Sequence, residues 1–73
     1  MGSKIEHVAT KTAMSYARDG YHLSSYDVRD DPQQYIYSMQ HDNKNKIKIV
    51  ADEIDDKIYI YLNGKLNKTI DKI

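Results

Sequence analysis

The chain contains no cysteine, no phenylalanine, one proline and only three glycines among its 73 residues, and its eleven basic and eleven acidic residues cancel. The absence of cysteine excludes disulfides and thiolate metal sites, and it fits a cytoplasmic setting. The absence of net charge leaves no whole-protein field that would draw the chain to nucleic acid or to a membrane surface. Up to Asp31 there are four positive and five negative residues, and beyond it seven and six, so neither part is polarised. No apolar run approaches the ~18 residues of a membrane span, and no signal-peptide core is present, so no membrane partner is expected. Met1-Gly2 is followed by Glu6 where a myristoylation signal requires Ser or Thr. A chain this short buries only about 60% of its unfolded surface. With disulfides and thiolate metals excluded, oligomerisation is the remaining means of reinforcing a thin core.

What is present reads as one small α+β domain over residues 1–73. Ser3-Lys4-Ile5-Glu6 has the form of a capping box, in which hydroxyl and carboxylate each satisfy a backbone N–H of the first turn. Ile5, Val8, Ala9, Thr12, Ala13, Tyr16 and Ala17 follow at helical spacing, and Asp19-Gly20 supplies a stop. The spacing predicts a helix over residues 4–18 with a narrow, alanine-rich inner stripe. Residues 21–34 read as a short, weak strand broken by Ser24-Ser25, or as a segment lying over the sheet, with a turn at Asp30-Asp31-Pro32.

From Gln34 onward the pattern is an antiparallel meander with strands at 34–41, 46–53, 57–62 and 65–70. Asn63-Gly64 is the strongest hairpin signal in the chain, because a two-residue type I′ turn needs φ > 0 at both central positions. The expected fold is therefore an N-terminal helix packed on one face of a four- to five-stranded antiparallel β-meander. Taking four turn residues at 42–45 and two each at 55–56 and 63–64 pairs His41 with Lys46, Ile54 with Lys57 and Leu62 with Lys65. Side chains alternate along a strand, so this register assigns two faces. One is an aliphatic core of Ile36, Ile47, Ile49, Ala51, Ile58, Ile60 and Leu62. The other gathers Tyr35, Tyr37, Met39, Val50, Tyr59, Tyr61 and Leu66 with Lys46, Lys48 and Lys68. A one-residue change in the 42–45 turn would transfer Tyr35, Tyr37 and Met39 to the core.

Residues with catalytic or metal-binding chemistry do not form a recognisable set. His7, His22 and His41 lack a second histidine or cysteine at ligand spacing. His22, Ser24, Ser25 and Asp27 crowd into one short polar segment suited to a turn rather than to a triad. Asp52, Glu53, Asp55 and Asp56 lack the spaced ligands and glycine of a calcium loop and read as a solvated acidic turn. No cofactor and no enzymatic activity are expected.

The function expected is a non-enzymatic protein-interaction module. It would bind a target protein through Tyr35, Tyr37, Met39, Val50, Tyr59, Tyr61 and Leu66, since tyrosine is enriched at interface hot spots. Self-association as a two-fold dimer is expected on the same face or along the last strand. Small cysteine-free chains of this composition suit phage or mobile-element inhibitors that block a target. The alternative is single-stranded nucleic-acid binding, with bases stacked on the tyrosines and Lys46, Lys48 and Lys68 following the phosphates. The chain lacks the aromatic motifs of an RRM.

Overall fold

The computed structural model describes residues 4–30, 33–41 and 45–71. Helix α1 spans Lys4–Arg18, as its spacing predicts, with Glu6 in the first turn and Arg18 in the last, each suited to the helix dipole. Ser3, the cap expected from the sequence, lies outside the described residues. Past the helix, Gly20 takes φ 102°. The Tyr21 N–H donates to the Tyr16 carbonyl at 3.1 Å, closing the helix end. The backbone angle favours glycine here, and a Cβ on Gly20 would stand 2.7 Å from Nε2 of His41 and force that ring to shift. The Tyr21 ring then lies edge-on between Tyr16 and His41, at centroid distances of 5.5 and 5.1 Å.

Five strands follow: β1 (His22–Asp30), β2 (Gln33–His41), β3 (Asn45–Asp52), β4 (Lys57–Leu62) and β5 (Lys65–Ile70). They form one antiparallel sheet in the order β1-β2-β3-β4-β5. The segment expected as a weak strand or a cover is in fact a nine-residue edge strand, exposed along its whole length. A bulge between Leu23 and Ser25 reconciles its sequence with the sheet. Beyond the bulge, Tyr26 pairs with Tyr37 and Val28 with Tyr35.

The register corrects the expected faces. His41 pairs with Asn45, not with Lys46, so three residues rather than four separate β2 from β3. Tyr35, Tyr37 and Met39 therefore lie opposite Ala51, Ile49 and Ile47 and share their face, while Ile36 moves to the opposite face beside Val50. Between β3 and β4, Asp52 rather than Ile54 faces Lys57, a shift of two residues that changes no side chain's face. Leu62 pairs with Lys65 as expected, but a bulge beyond Tyr61 sets Lys68 opposite Ile60. Lys68 thus leaves the face it was assigned to. At the tip, Asn63 and Gly64 have φ of 52° and 88°, the two positive values the Asn-Gly signal requires. Asn63 also prolongs the β3 ladder: its N–H donates to the Lys46 carbonyl at 2.8 Å, and its Oδ1 accepts from the Lys46 N–H at 2.9 Å.

The core lies between α1 and one face of the sheet. Ile5, Ala9 and Ala13 meet Tyr37, Met39, Ile47, Ile49, Ala51, Ile58 and Ile60. Alanines at the contact let the helix axis approach the sheet closely, so the larger share of apolar area comes from the strands. Tyr37 is held from above, its hydroxyl 2.9 Å from Thr10 Oγ1, and Tyr26 packs on its ring at 4.8 Å.

The β3–β4 turn is organised by a buried carboxylate. Asp52 Oδ1 accepts from the backbone N–H groups of Ile54 and Asp55, and Oδ2 accepts from Nε2 of Gln34. Asp56 closes the turn with φ 57°. The Gln34 hydrogen bond, helped by the two backbone donors, holds the carboxyl below its ordinary value of 3.8 despite the opposing effect of burial. A depressed folded-state pKa gives stability that is complete above pH 3.8 and is lost as pH falls through the lower folded value. Asp52→Ala leaves two amides and the Gln34 donor unsatisfied, and is expected to cost about 1–3 kcal/mol. Chemical denaturation at pH 7 and at pH 3 checks this: the gap between wild type and variant should narrow in acid.

Candidate binding face

The helix covers one face of the sheet, and among the described residues no element covers the other. This open face follows from the observed pairing. Ile36 stands beside Val50, Val50 beside Tyr59, Lys48 beside Tyr61, and Tyr61 beside Leu66. Lys46 is two residues from Lys48 on β3 and points the same way. From β1, Asp27 and Arg29 join the same face opposite Ile36 and Gln34. The twist of the sheet turns this surface into an open trough of about 640 Å³, lined by Arg29, Ile36, Lys46, Lys48, Val50 and Tyr61 among others. Ile36 is only 8% exposed although, among the described residues, no element covers this face. Ile36 and Val50 form an aliphatic floor, and Arg29, Gln34, Ser38, Gln40, Lys46 and Lys48 make the surrounding lining polar. No carboxylate is among the described residues that line it. Lys46 and Lys48 stand at the β3 end of the trough, and Arg29 is across it on β1.

Of the seven residues expected to form a partner surface, four are here. Val50, Tyr59 and Tyr61 are half-buried on the open face, and Leu66 is 55% exposed beside Tyr61. Tyr35, Tyr37 and Met39 are on the covered side, with Tyr37 and Met39 part of the core. Lys46 and Lys48 keep their expected place near Tyr61, and Lys68 does not. Ile36, Arg29, Gln34, Ser38 and Gln40 belong to the site and were not anticipated. Their sequence signal is the alternation Gln34, Ser38, Gln40, which marks that side of β2 as the wet one.

Electrostatics differ between the tyrosines. The Tyr59 hydroxyl donates to Asp55 at 3.2 Å. Partial burial and that carboxylate raise its pKa. On the covered side, the Tyr26 hydroxyl donates to Glu6 at 3.3 Å. Partial burial, the neighbouring Tyr37 and Glu6 push it up to about 12. Both phenols therefore stay neutral hydrogen-bonding groups across the physiological range. Ser24 donates its hydroxyl to the Ser38 carbonyl at 3.0 Å, which ties down the β1 bulge. Among the described residues, no three His, Asp or Glu side chains converge on a common point, and no helix is long and apolar enough to cross a membrane. No protein-family model, curated protein or solved structure matches the chain.

Proposed function

We propose that the protein is a non-enzymatic interaction module that binds a target protein through the open face of its sheet. The observation that supports this reading is the uncovered trough itself, with Ile36 and Val50 as its floor, Tyr61 along one side with Leu66 next to it on β5, and Arg29, Lys46 and Lys48 around it. An aliphatic floor with tyrosine and cationic borders has the anatomy of a protein interface, in which a desolvated centre is ringed by polar groups. In a chain this small, such a module acts by occupying a surface of its target, which is the mode of a small cytoplasmic inhibitor.

The test is binding of a captured target protein by wild type and by Tyr61→Ala. Loss of a hot-spot tyrosine weakens a complex by about 2 kcal/mol or more. Tyr61 is half-buried and outside the core cluster, so the unfolding midpoint of the variant should stay near that of wild type. Unchanged affinity in Tyr61→Ala, with the fold intact, would exclude this face as the binding surface.

A second reading, single-stranded nucleic-acid binding, draws on Lys46 and Lys48 near Tyr61, with Arg29 at the far side of the trough. It loses the stacking platform it would need, because Tyr35 and Tyr37 are on the covered side and Lys68 faces away. It predicts binding to a single-stranded oligonucleotide that weakens steeply with added salt. Negligible binding at low salt removes it.

A further inference from the structure

The first strand is an edge with an unusual distribution of safeguards. Natural sheets protect their edges with lysines, bulges or proline, because an unpaired strand is a template for another chain. At the far edge, β5 carries Lys65, Lys68 and its own bulge. On β1 the bulge protects only the start of the strand, between Leu23 and Ser25. The regular half, Ser25–Asp30, has no lysine, and it exposes Tyr26 and Val28 at 44% and 43%. Among the described residues, neither Asp27 nor Arg29 has an ionic or hydrogen-bonded partner for its side chain, and their neighbours on β2 are the uncharged Ile36 and Gln34.

We propose that this half of β1 pairs antiparallel with β1 of a second copy, about a two-fold axis through Val28. The register follows by elimination. In a continuous sheet, paired residues point to the same face, so a two-fold axis must pass through a residue and not between two. An axis at Asp27, Arg29 or Asp30 sets a charge directly against its own copy, which is destabilising. An axis at Ser25 or Tyr26 runs the pairing into the bulge at Ser24. An axis at Val28 instead sets Asp27 opposite the partner copy's Arg29, twice, and Val28 opposite itself. It also brings each Tyr26 ring within diagonal reach of the other Val28. The result is a ten-stranded sheet with both helices on one side. It covers the exposed apolar pair, satisfies two unpaired charges per copy, and supplies the reinforcement that a 73-residue chain without cysteine lacks. This pairing uses the strand edge and does not depend on what the open face binds.

The experiment is light scattering across a concentration series on the full chain and on charge variants of β1, joined by disulfide trapping at the two edges. Wild type should approach twice its 8.5 kDa mass. Arg29→Asp turns two opposite-charge pairs into two like-charge pairs and should weaken association roughly tenfold or more. Combining Arg29→Asp with Asp27→Arg restores the pairs in reverse and should restore the dimer. The chain has no native cysteine, so Val28→Cys should form a self-disulfide rapidly under mild oxidation, whereas Thr69→Cys on the other edge should not. A wild type that remains at 8.5 kDa overturns the proposal. So does association that survives Arg29→Asp, or a double exchange that fails to rescue it. Association that Tyr61→Ala abolishes while Arg29→Asp leaves it intact would assign the dimer to the open face instead.

Discussion

Tyr37→Ala should cost about 3–5 kcal/mol, the range for truncating a buried aromatic. The ring is 9% exposed, packs against Tyr26 at 4.8 Å, and its hydroxyl lies 2.9 Å from Thr10 Oγ1 on the helix. Truncation removes the ring, opens a cavity under α1 and leaves the Thr10 hydroxyl without this partner. A domain of 73 residues has about 4–11 kcal/mol of stability in total, so a large part of it is at stake. Urea denaturation monitored by circular dichroism would read this directly, through a fall in midpoint. Tyr37→Phe separates the contributions: it keeps the packing and loses only the hydrogen bond, at about 1 kcal/mol. A Tyr37→Ala chain as stable as wild type would mean that the ring does not support the core.

Ile49→Ala is expected to lose about 2–5 kcal/mol, and of the aliphatic truncations it should be among the most damaging. Ile49 is at the middle of the central strand, fully buried, between Tyr37 on β2 and Ile60 on β4. The stripe of α1 that covers this core is made largely of alanine. Ala9 and Ala13 have no side chain long enough to move into the space, and the strands on both sides are fixed by their ladders. A site that cannot collapse falls toward the upper end of the range. Ile49→Val, which removes one methyl group, should cost only about 0.5–1.5 kcal/mol, and the two variants together measure how rigid the cavity walls are.

These two predictions also locate what could be read from the chain itself. The helix bounds were legible because spacing, acidic start and Gly20 stop agree, and the Asn63-Gly64 turn because its residue pair permits few other conformations. The sorting of β2 was not, because both sides of that strand are apolar near its middle: Tyr35, Tyr37 and Met39 on one, Ile36 on the other. A choice between three and four turn residues then decided the matter, and neither option has a strong residue signature at Asp42-Asn43-Lys44-Asn45. The polar series Gln34, Ser38 and Gln40 carried the information, but tyrosine suits an interface as well as a core, so the ring residues gave no counterweight. The first strand was obscured differently. Leu23, Tyr26 and Val28 share a face only because Ser24 is the extra residue of a bulge. A break in period two of this kind looks like weakness until the partner strand is known. Half of the candidate face was visible for a plain reason. Tyr59, Tyr61, Val50, Lys46 and Lys48 lie on β3 and β4, where the register error was an even number and left parity untouched.

The meander also sets an order in time. Each strand pairs with its neighbour in the chain, so every rung of the sheet can form by closing a short hairpin, and the Asn63-Gly64 tip is preset for it. The helix is the exception. It is made before all five strands, yet it packs most extensively on β3, which begins 27 residues after Arg18 ends it. Until that strand emerges, Ile5, Ala9 and Ala13 have no surface to meet, and a lone 15-residue helix is marginal in water. Closing the core thus joins the helix to strands made after it, and the apolar side of the sheet stays wet until that contact is made.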